Sequence, residues 1–139
     1  MSEIDTSMCL SIVMPCFNEQ QFISECVNKV LASPFVGQLI IVDDGSTDGT
    51  RDLLRQLTDP RVEVYFNETN MGKGSSLARG FEHATRPFVL VQDADLEYDP
   101  EEYLDLLKPV IDGQADVVYG SRFMGGNAHR ILFFWHSLG

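Results

Sequence analysis

Short apolar segments recur along the chain, and their starts are 23 to 29 residues apart. Five of them are rich in β-branched or other apolar residues. We predict that these are strands, namely Leu10–Met14, Leu39–Val42, Val62–Phe66, Phe88–Val91 and Asp116–Tyr119. Their spacing matches the βαβ unit, which takes about 30 residues.

The segments between the predicted strands carry apolar residues at helical spacing. In Glu19–Leu31, Phe22 and Cys26 are four residues apart and begin an apolar face. Similar patterns predict helices over Thr50–Leu57, Gly74–Ala84 and Pro100–Ile111. The alternation of strands and helices predicts an α/β fold of the Rossmann-like, doubly wound type, with a mainly parallel sheet and helices on both faces.

The charge balance narrows the range of partners. The chain has 139 residues, enough for one domain, with 21 Asp and Glu against 10 Lys and Arg. Its net charge of −11 and the lack of a basic run argue against nucleic acid or an anionic membrane surface as the main partner. An acidic protein still binds a phosphorylated ligand where a local site or a metal ion supplies positive charge.

The cysteines and the chain ends favour a cytoplasmic location. Three cysteines with no CxxC pair indicate neither a disulfide framework nor a zinc site. No apolar run approaches the ~20 residues of a membrane span, and the first residues are acidic where a secretion signal is basic. The last stretch, HRILFFWHSLG, starts a new element and stops, so we expect a chain truncated at its C-terminus. With no partner element, Ile131–Trp135 is expected to self-associate or, in a longer parent protein, to adsorb to a membrane.

A polar or glycine-rich cluster follows each predicted strand. In open α/β sheets, ligands bind outside the carboxyl ends of the strands. Clusters that converge on this edge therefore predict a binding site, and they are Pro15–Glu19, Asp43–Thr50, Asn67–Gly74, Asp93–Glu97 and Gly120–Arg122.

The cluster after the fourth strand has the composition of a metal site. Asp93 and Asp95 are separated by one residue, so their carboxylates lie on the same side of an extended segment. Two hard oxygen ligands suit Mg²⁺ or Mn²⁺, which binds one or two carboxylates together with substrate phosphates. Glu97 is a candidate third ligand, and a solvated acidic turn is the alternative.

The second and third clusters suggest contacts to a nucleotide. Asp44 is placed to accept hydrogen bonds from a base or a ribose, while Ser46, Thr47 or Asp48 is suited to cap the following helix. Asn70–Ser75 is not a Walker A loop, because its first glycine is missing. Glycines at a helix start nevertheless expose N–H groups to an anion, and Lys73 meets a phosphate or pairs with an aspartate.

The first and fifth clusters each leave two interpretations open. In one interpretation, Phe17 packs on a nucleobase and Glu19 hydrogen-bonds a ribose. In the other, Phe17 is a core residue and Asn18 is the N-cap of the following helix. Arg122 reaches a diphosphate with its planar fork of donors, or forms a surface ion pair. His129 and Arg130 contact a phosphate or are solvated.

Together these clusters resemble the inverting family 2 glycosyltransferases of the GT-A fold. The similar segments are MPCFNE (14–19), VDDGSTDGT (42–50), NMGKGSSLARG (70–80), DADLEYDPE (93–101) and VVYGSRF (117–123), in the family's order and spacing. The sequence DADLEYDP, followed by GSRF and HR, is closer to the dolichol- or polyprenyl-phosphate sugar synthases than to the processive polysaccharide synthases.

The resemblance implies a UDP- or GDP-sugar donor, a divalent metal bound through the two aspartates, and inversion at the anomeric carbon. The metal would be held by Asp93, Asp95 and Glu97, and Asp93, Asp95 and Arg122 would form the catalytic set. By the same analogy the donor-binding residues are Pro15, Phe17, Asn18, Glu19, Val42, Asp44, Lys73, Gly74, Asp93, Ala94, Asp95 and Arg122.

The resemblance also implies what residues 1–139 leave out. We expect them to form the nucleotide-sugar-binding part of one glycosyltransferase domain, with most of the acceptor part absent and the parent protein at the cytoplasmic face of a membrane. A polyprenyl phosphate acceptor needs little base catalysis, whereas a sugar hydroxyl needs a carboxylate base, and we assign none. The alternatives are a donor-binding fragment without activity, a polysaccharide-type transferase, and a sugar-1-phosphate nucleotidyltransferase. The last is disfavoured because PCFNEQQF lacks the glycine-rich, basic loop it requires.

Overall fold

The computed structural model describes residues 7–95, 99–111, 117–119 and 131–134. Every predicted strand and helix is present. The elements are β1 (Leu10–Cys16), α1 (Ile23–Leu31), β2 (Val36–Asp44), α2 (Thr50–Arg55), β3 (Val62–Asn67), α3 (Lys73–Glu82), β4 (Phe88–Val91), a 3₁₀ turn (Pro100–Glu102), α4 (Tyr103–Ile111), β5 (Val117–Tyr119) and β6 (Ile131–Phe134). In these ranges no helix is long and apolar enough to cross a membrane.

The strands form one sheet in the order β3-β2-β1-β4-β6-β5. Strands β1 to β4 are parallel, and β6 runs antiparallel between β4 and β5. The chain moves outward from β1 in one direction through β2 and β3, and then crosses to β4 on the other side of β1. This reversal places a crevice between the carboxyl ends of β1 and β4, where ligands bind in folds of this kind.

The pairing of β6 corrects one expectation. Ile131–Phe134 does have a partner in the chain, because Phe134 pairs with Phe88 of β4 and Leu132 pairs with both Leu90 and Val118. The lack of a partner was the reason to expect self-association through Ile131–Trp135, so that reason is wrong. Trp135 lies outside the described residues.

Helices cover both faces of the sheet, as the alternating pattern predicted. On one face, Ile12 and Met14 of β1 belong to a core formed with α1, α2 and α4. On the other face, Val13 packs with Ile40 and with Leu77 and Phe81 of α3. Strands buried on both faces read as continuous apolar runs, which explains why these segments were recognisable.

Helix α3 lies very close to the sheet at one residue. Gly80 is buried, and a methyl group added there would overlap Cγ1 of Val13 in β1. A β-carbon at Gly74, one and a half turns earlier in α3, would have no neighbour within 4 Å. Alanine substitutions at the two glycines therefore separate the effect of packing on stability from the effect of helix propensity.

We predict that Gly80→Ala lowers the free energy of unfolding by about 1–3 kcal/mol, because the added methyl group overpacks the contact with Val13. Gly74→Ala, in the same helix, should leave stability unchanged or raise it by up to about 1 kcal/mol. Urea unfolding followed by circular dichroism measures both. Equal effects of the two substitutions would contradict the close approach.

Candidate functional site

The four described polar clusters meet at one cavity of about 350 Å³ at the carboxyl edge of the sheet. Pro15, Phe17 and Glu19 line it from the end of β1, and Asp44 lines it from the end of β2. The remaining predicted residues in its wall follow β3 and β4, and are Lys73, Asp93, Ala94 and Asp95.

Several predicted site residues do not line this cavity. Val42 is fully buried beneath α3, Asn18 is exposed beside the loop after β2, and Gly74 lies within the first turn of α3. Other residues that we proposed for metal or phosphate contacts lie outside the described residues, namely Glu97, Arg122, His129 and Arg130. Conversely, Cys16, Asn70, Gly72 and Ser76 line the cavity without having been predicted individually.

Asn18 joins the first loop to the second. Its side-chain oxygen accepts hydrogen bonds from the N–H groups of Thr47 (2.8 Å) and Asp48 (3.4 Å), and its own N–H donates to Ser46 Oγ (2.9 Å). Asn18 has a φ of 51°, a conformation that asparagine tolerates better than most residues. Asn18 is thus not the N-cap of α1, which begins at Ile23, four residues later than the pattern predicted. Its bonds hold the neighbouring Glu19 at the cavity.

The two adjacent aspartates at the end of β2 have different tasks. The Asp43 side chain is fully buried and accepts hydrogen bonds from the Ser46 N–H (3.1 Å) and from Arg51 Nε (2.8 Å). Arg51 also donates to the carbonyl oxygen of Asn67 at the end of β3. Asp43 is therefore a structural residue that joins its own loop to α2.

Asp44 anchors the loop that leads into α3. Its Oδ1 accepts hydrogen bonds from Asn67 Nδ2 (2.9 Å) and the Met71 N–H (2.8 Å), and its Oδ2 accepts one from the Gly72 N–H (2.9 Å). Burial raises the pKa of Asp44, but these hydrogen bonds outweigh burial and hold the pKa below its ordinary value of 3.8. A side-chain hydrogen bond from Ser76 lowers the pKa of Asp44 as well, so the roughly four acceptor positions of this carboxylate are used within the protein.

Lys73 pairs with the first aspartate of the Asp93–Asp95 turn. Its Nζ lies 2.7 Å from Asp93 Oδ1, and half of its side chain is exposed. Of the two interpretations that the sequence left open, phosphate or aspartate, the structure shows the pairing with aspartate. Because Lys73 is the first residue of α3, its position depends on the loop that Asp44 holds.

The cavity wall carries more negative than positive charge. Glu19, Asp93 and Asp95 all line it, together with Lys73. Burial raises the pKa of Glu19 above its ordinary 4.5, and the carboxylates of Asp95, Asp48 and Asp93 raise it further. These carboxylates repel one another, so the site favours a bound cation.

The donor set fits part of a magnesium or manganese site. Across the described ranges, no three His, Cys, Asp or Glu side chains lie close enough to hold a metal ion by themselves. Mg²⁺ commonly takes one or two protein carboxylates and completes its shell with water and substrate phosphates. Asp93 and Asp95, side by side at the cavity, suit that partial role.

Cys16 lines the cavity but is not a candidate nucleophile. Burial and the adjacent Asp43 carboxylate raise the pKa of its thiol far above the ordinary value. Its Sγ lies 3.7 Å from Asp43 Oδ1, to which the S–H group donates. Since the thiolate is the reactive form of cysteine, this residue is inert at neutral pH.

Comparison with known proteins shows a consistent set of relatives. The model of the family described as Glycosyl transferase family 2 matches residues 11–131. The chain is 37% identical over 126 residues to the polyprenol monophosphomannose synthase of Mycolicibacterium smegmatis, covering 86% of this chain and 47% of that protein. It is 34% identical over 125 residues to the undecaprenyl-phosphate 4-deoxy-4-formamido-L-arabinose transferase of Edwardsiella ictaluri, covering 85% and 38%.

A solved structure confirms the fold. The mannosyltransferase PcManGT from Pyrobaculum calidifontis, in complex with GDP-Man and Mn²⁺, superposes with a TM-score of 0.74 at 20% identity. The match covers 91% of this chain and 44% of that one. The predicted GT-A fold is therefore confirmed, and the chain spans less than half the length of these three proteins.

We predict that Asp44→Asn lowers the free energy of unfolding by about 1–3 kcal/mol, because its NH2 group would replace one carboxylate oxygen and face the N–H group of either Met71 or Gly72 with a donor. Asp52→Asn is the control, since the Asp52 side chain is 80% exposed and should change stability by less than about 0.5 kcal/mol. Urea unfolding at pH 7 measures both. Equal losses would contradict the anchoring role.

Wild type and Asp44→Asn together also test how the stability depends on pH. The folded-state pKa of Asp44 lies below 3.8, so the unfolded chain binds this proton more readily than the folded one. The stability from Asp44 is therefore complete above about pH 3.8 and is lost as the pH falls through the folded-state value. The stability gap between wild type and Asp44→Asn should shrink over that interval.

Proposed function

Because the chain belongs to glycosyl transferase family 2, we propose that its cavity binds the nucleoside diphosphate of an activated sugar, UDP- or GDP-linked. The chain would then be the donor-binding part of a transferase that passes the sugar, with inversion, to a polyprenyl phosphate. The observation that carries the proposal is the meeting of Asp44, Lys73 and the Asp93–Asp95 turn at one cavity. Its volume of about 350 Å³ is in the usual range for small-molecule sites.

The end of β1 and Asp44 are suited to the nucleoside. Phe17 is 44% exposed at the cavity, which disfavours the alternative of a core residue and leaves its ring available for stacking on a base. Glu19 suits the N–H groups of a base or the hydroxyl groups of a ribose, and Asp44, which lines the same cavity, would accept from them by exchanging one of its present hydrogen bonds. Uracil and guanine both present N–H groups, so both donors belong in the experiment.

Asp93 and Asp95 would hold the Mg²⁺ or Mn²⁺ ion beside the diphosphate. The metal, when bound, supplies positive charge that stabilises the leaving nucleoside diphosphate. Lys73 lies beside the same place through its ion pair with Asp93 and would be available to a phosphate oxygen if a metal took its position on that carboxylate. Arg122 remains a predicted phosphate contact by the family resemblance.

The acceptor is proposed from the two relatives named for polyprenol and undecaprenyl phosphate. A phosphate oxygen is already an anionic nucleophile, so transfer to it requires orientation more than a general base. This acceptor would place the whole protein at a membrane surface, on the cytoplasmic side if the donor is a cytoplasmic metabolite. A glycan hydroxyl acceptor would instead require a carboxylate base.

Calorimetric titration tests the donor site directly. The folded protein is titrated with UDP- and GDP-sugars, with Mn²⁺ or Mg²⁺ and again with EDTA. We expect one nucleotide to bind in the presence of metal and to bind much more weakly in EDTA. A folded protein that binds neither nucleotide with either metal would overturn the proposal.

Asp95→Asn should weaken the metal-dependent binding by about tenfold or more, because it removes one of two anionic ligands. The matched control is Asp105→Asn, an exposed carboxylate on α4 that does not line the cavity. The same titration reads both variants, and thermal unfolding verifies that they fold. Equal affinities for the two variants would exclude Asp95 as a ligand.

Lys73→Met should raise the affinity for Mn²⁺ in the absence of nucleotide by up to about fivefold, the equivalent of ~1 kcal/mol for a partly exposed ion pair. The reason is that Lys73 and the metal compete for Asp93. Lys29→Met is a close control, because the Lys29 and Lys73 side chains are 52% and 50% exposed and each has a carboxylate partner. Titration of Mn²⁺ followed by its electron paramagnetic resonance signal measures the affinity. If Lys73→Met binds Mn²⁺ no more tightly than Lys29→Met does, the competition does not exist.

A further inference from the structure

The main chain of the Asp93–Asp95 turn is held from the core side by the thiol of a helix residue. Cys26 Sγ lies 3.6 Å from the carbonyl oxygen of Asp93 and 3.4 Å from that of Asp95, and its S–H group donates to both. Sequence separations of 67 and 69 residues make these tertiary contacts rather than local ones. One proton is shared between two acceptors on either side of Ala94.

Cys26 is fixed in its own position by the packing of α1. It is 2% exposed and lies on the buried face of the helix with Ile23, Val27 and Val30. A buried free cysteine carries a weak S–H donor, so its thiol is available to both carbonyl oxygens.

A second buried side chain reaches the same turn from α4. The Tyr103 hydroxyl donates to Gln92 Oε1 (2.9 Å), and Gln92 Nε2 donates a long hydrogen bond to the Asp93 carbonyl oxygen (3.5 Å). Gln92 and Tyr103 are both fully buried. The Asp93 carbonyl thus receives donors from two directions, and α1 and α4 are both joined to the turn.

The turn contacts both the core and the cavity. Ala94 is 2% exposed and belongs to the same core as Cys26, and it also borders the cavity. Asp93 and Asp95 line the cavity. Rotation of either peptide plane would break the thiol contacts and move the carboxylates, because side-chain and carbonyl directions are coupled through the same backbone dihedrals.

We propose that Cys26 is a positioning residue for the metal- and phosphate-binding carboxylates Asp93 and Asp95. It acts through the two carbonyl groups that its thiol bonds and does not touch the ligand. The proposal rests on the function proposed above and adds a supporting shell to that site. Removing a group that orients a metal ligand commonly lowers metal affinity by about tenfold or more. A thiol is a weak donor, so we expect its effect at the lower end of that range.

Hydrogen–deuterium exchange tests the proposal without any ligand. Cys26→Ala should speed exchange at the amides of residues 92–95, and Cys26→Ser, which restores a donor, should recover part of the protection. The matched control is Cys9→Ala, which removes the same sulfur from the same core next to the opposite end of β1. If Cys26→Ala does not fold, Cys26→Val replaces it, since valine fills the site and has no donor.

Metal-dependent nucleotide binding gives the functional readout. We expect Cys26→Ala to weaken it by about three- to tenfold, with Cys26→Ser in between and Cys9→Ala within about twofold of wild type. Unchanged exchange at residues 92–95 in Cys26→Ala would overturn the proposal. Equal changes in Cys26→Ala and Cys9→Ala would also overturn it, because they would show a loss of packing alone.

The two readouts separate this proposal from the proposed function. If wild type binds no nucleotide with metal, the donor-binding proposal fails, while the exchange data still decide whether Cys26 holds the turn. If wild type binds and Cys26→Ala binds equally well, the donor site stands and the positioning role fails.

Discussion

The hydrogen bonds that the Asp44 carboxylate accepts from the loop before α3 are the interaction on which the site depends. They join the end of β2 to a loop that follows β3 and precedes the helix carrying Lys73. Gly72 has a φ of 97° in this loop, a conformation that other residues rarely adopt, so the loop shape that brings its N–H group to Asp44 depends on glycine. Without the anchor, the start of α3 would be free to move away from Asp93.

The same kind of hydrogen bond, from a side chain to the main chain of a loop, supports the site at the ends of three strands. At each, one side chain bonds main-chain groups of a neighbouring loop: the exposed Asn18 after β1, the buried Asp44 at the end of β2, and the buried Cys26 below the turn after β4. Bonds to the main chain fix loop geometry with fewer rotatable links than bonds between two long side chains. The residues that face the cavity are thereby left to contact a ligand.

The sequence pattern was sufficient for the elements and for the edge at which the site lies. Strands buried on both faces and amphipathic helices have a local signature, and each polar cluster follows a strand. The insertion of β6 between β4 and β5 was not predictable in this way, because antiparallel pairing with a distant strand leaves no periodic signal. The sequence singled out Asp44 as a site residue but did not show the structural role of Asp43 or identify Cys26, because those roles depend on contacts with residues 8 to 69 positions away.

The charge of the cavity bears on how a phosphorylated donor would bind in a protein with a net charge of −11. A diphosphate alone would meet Glu19, Asp93 and Asp95, and repulsion from the two aspartates adds to burial in raising the pKa of Glu19. A divalent metal alone would find two carboxylates, one of them paired with Lys73, and too few ligands to fill its shell. When the metal and the diphosphate bind together, the metal offsets the negative charge and the phosphates complete the metal's coordination. By thermodynamic linkage, the factor by which the metal raises nucleotide affinity equals the factor by which the nucleotide raises metal affinity. An acidic cavity of this kind therefore favours binding of the metal and the nucleotide as a pair.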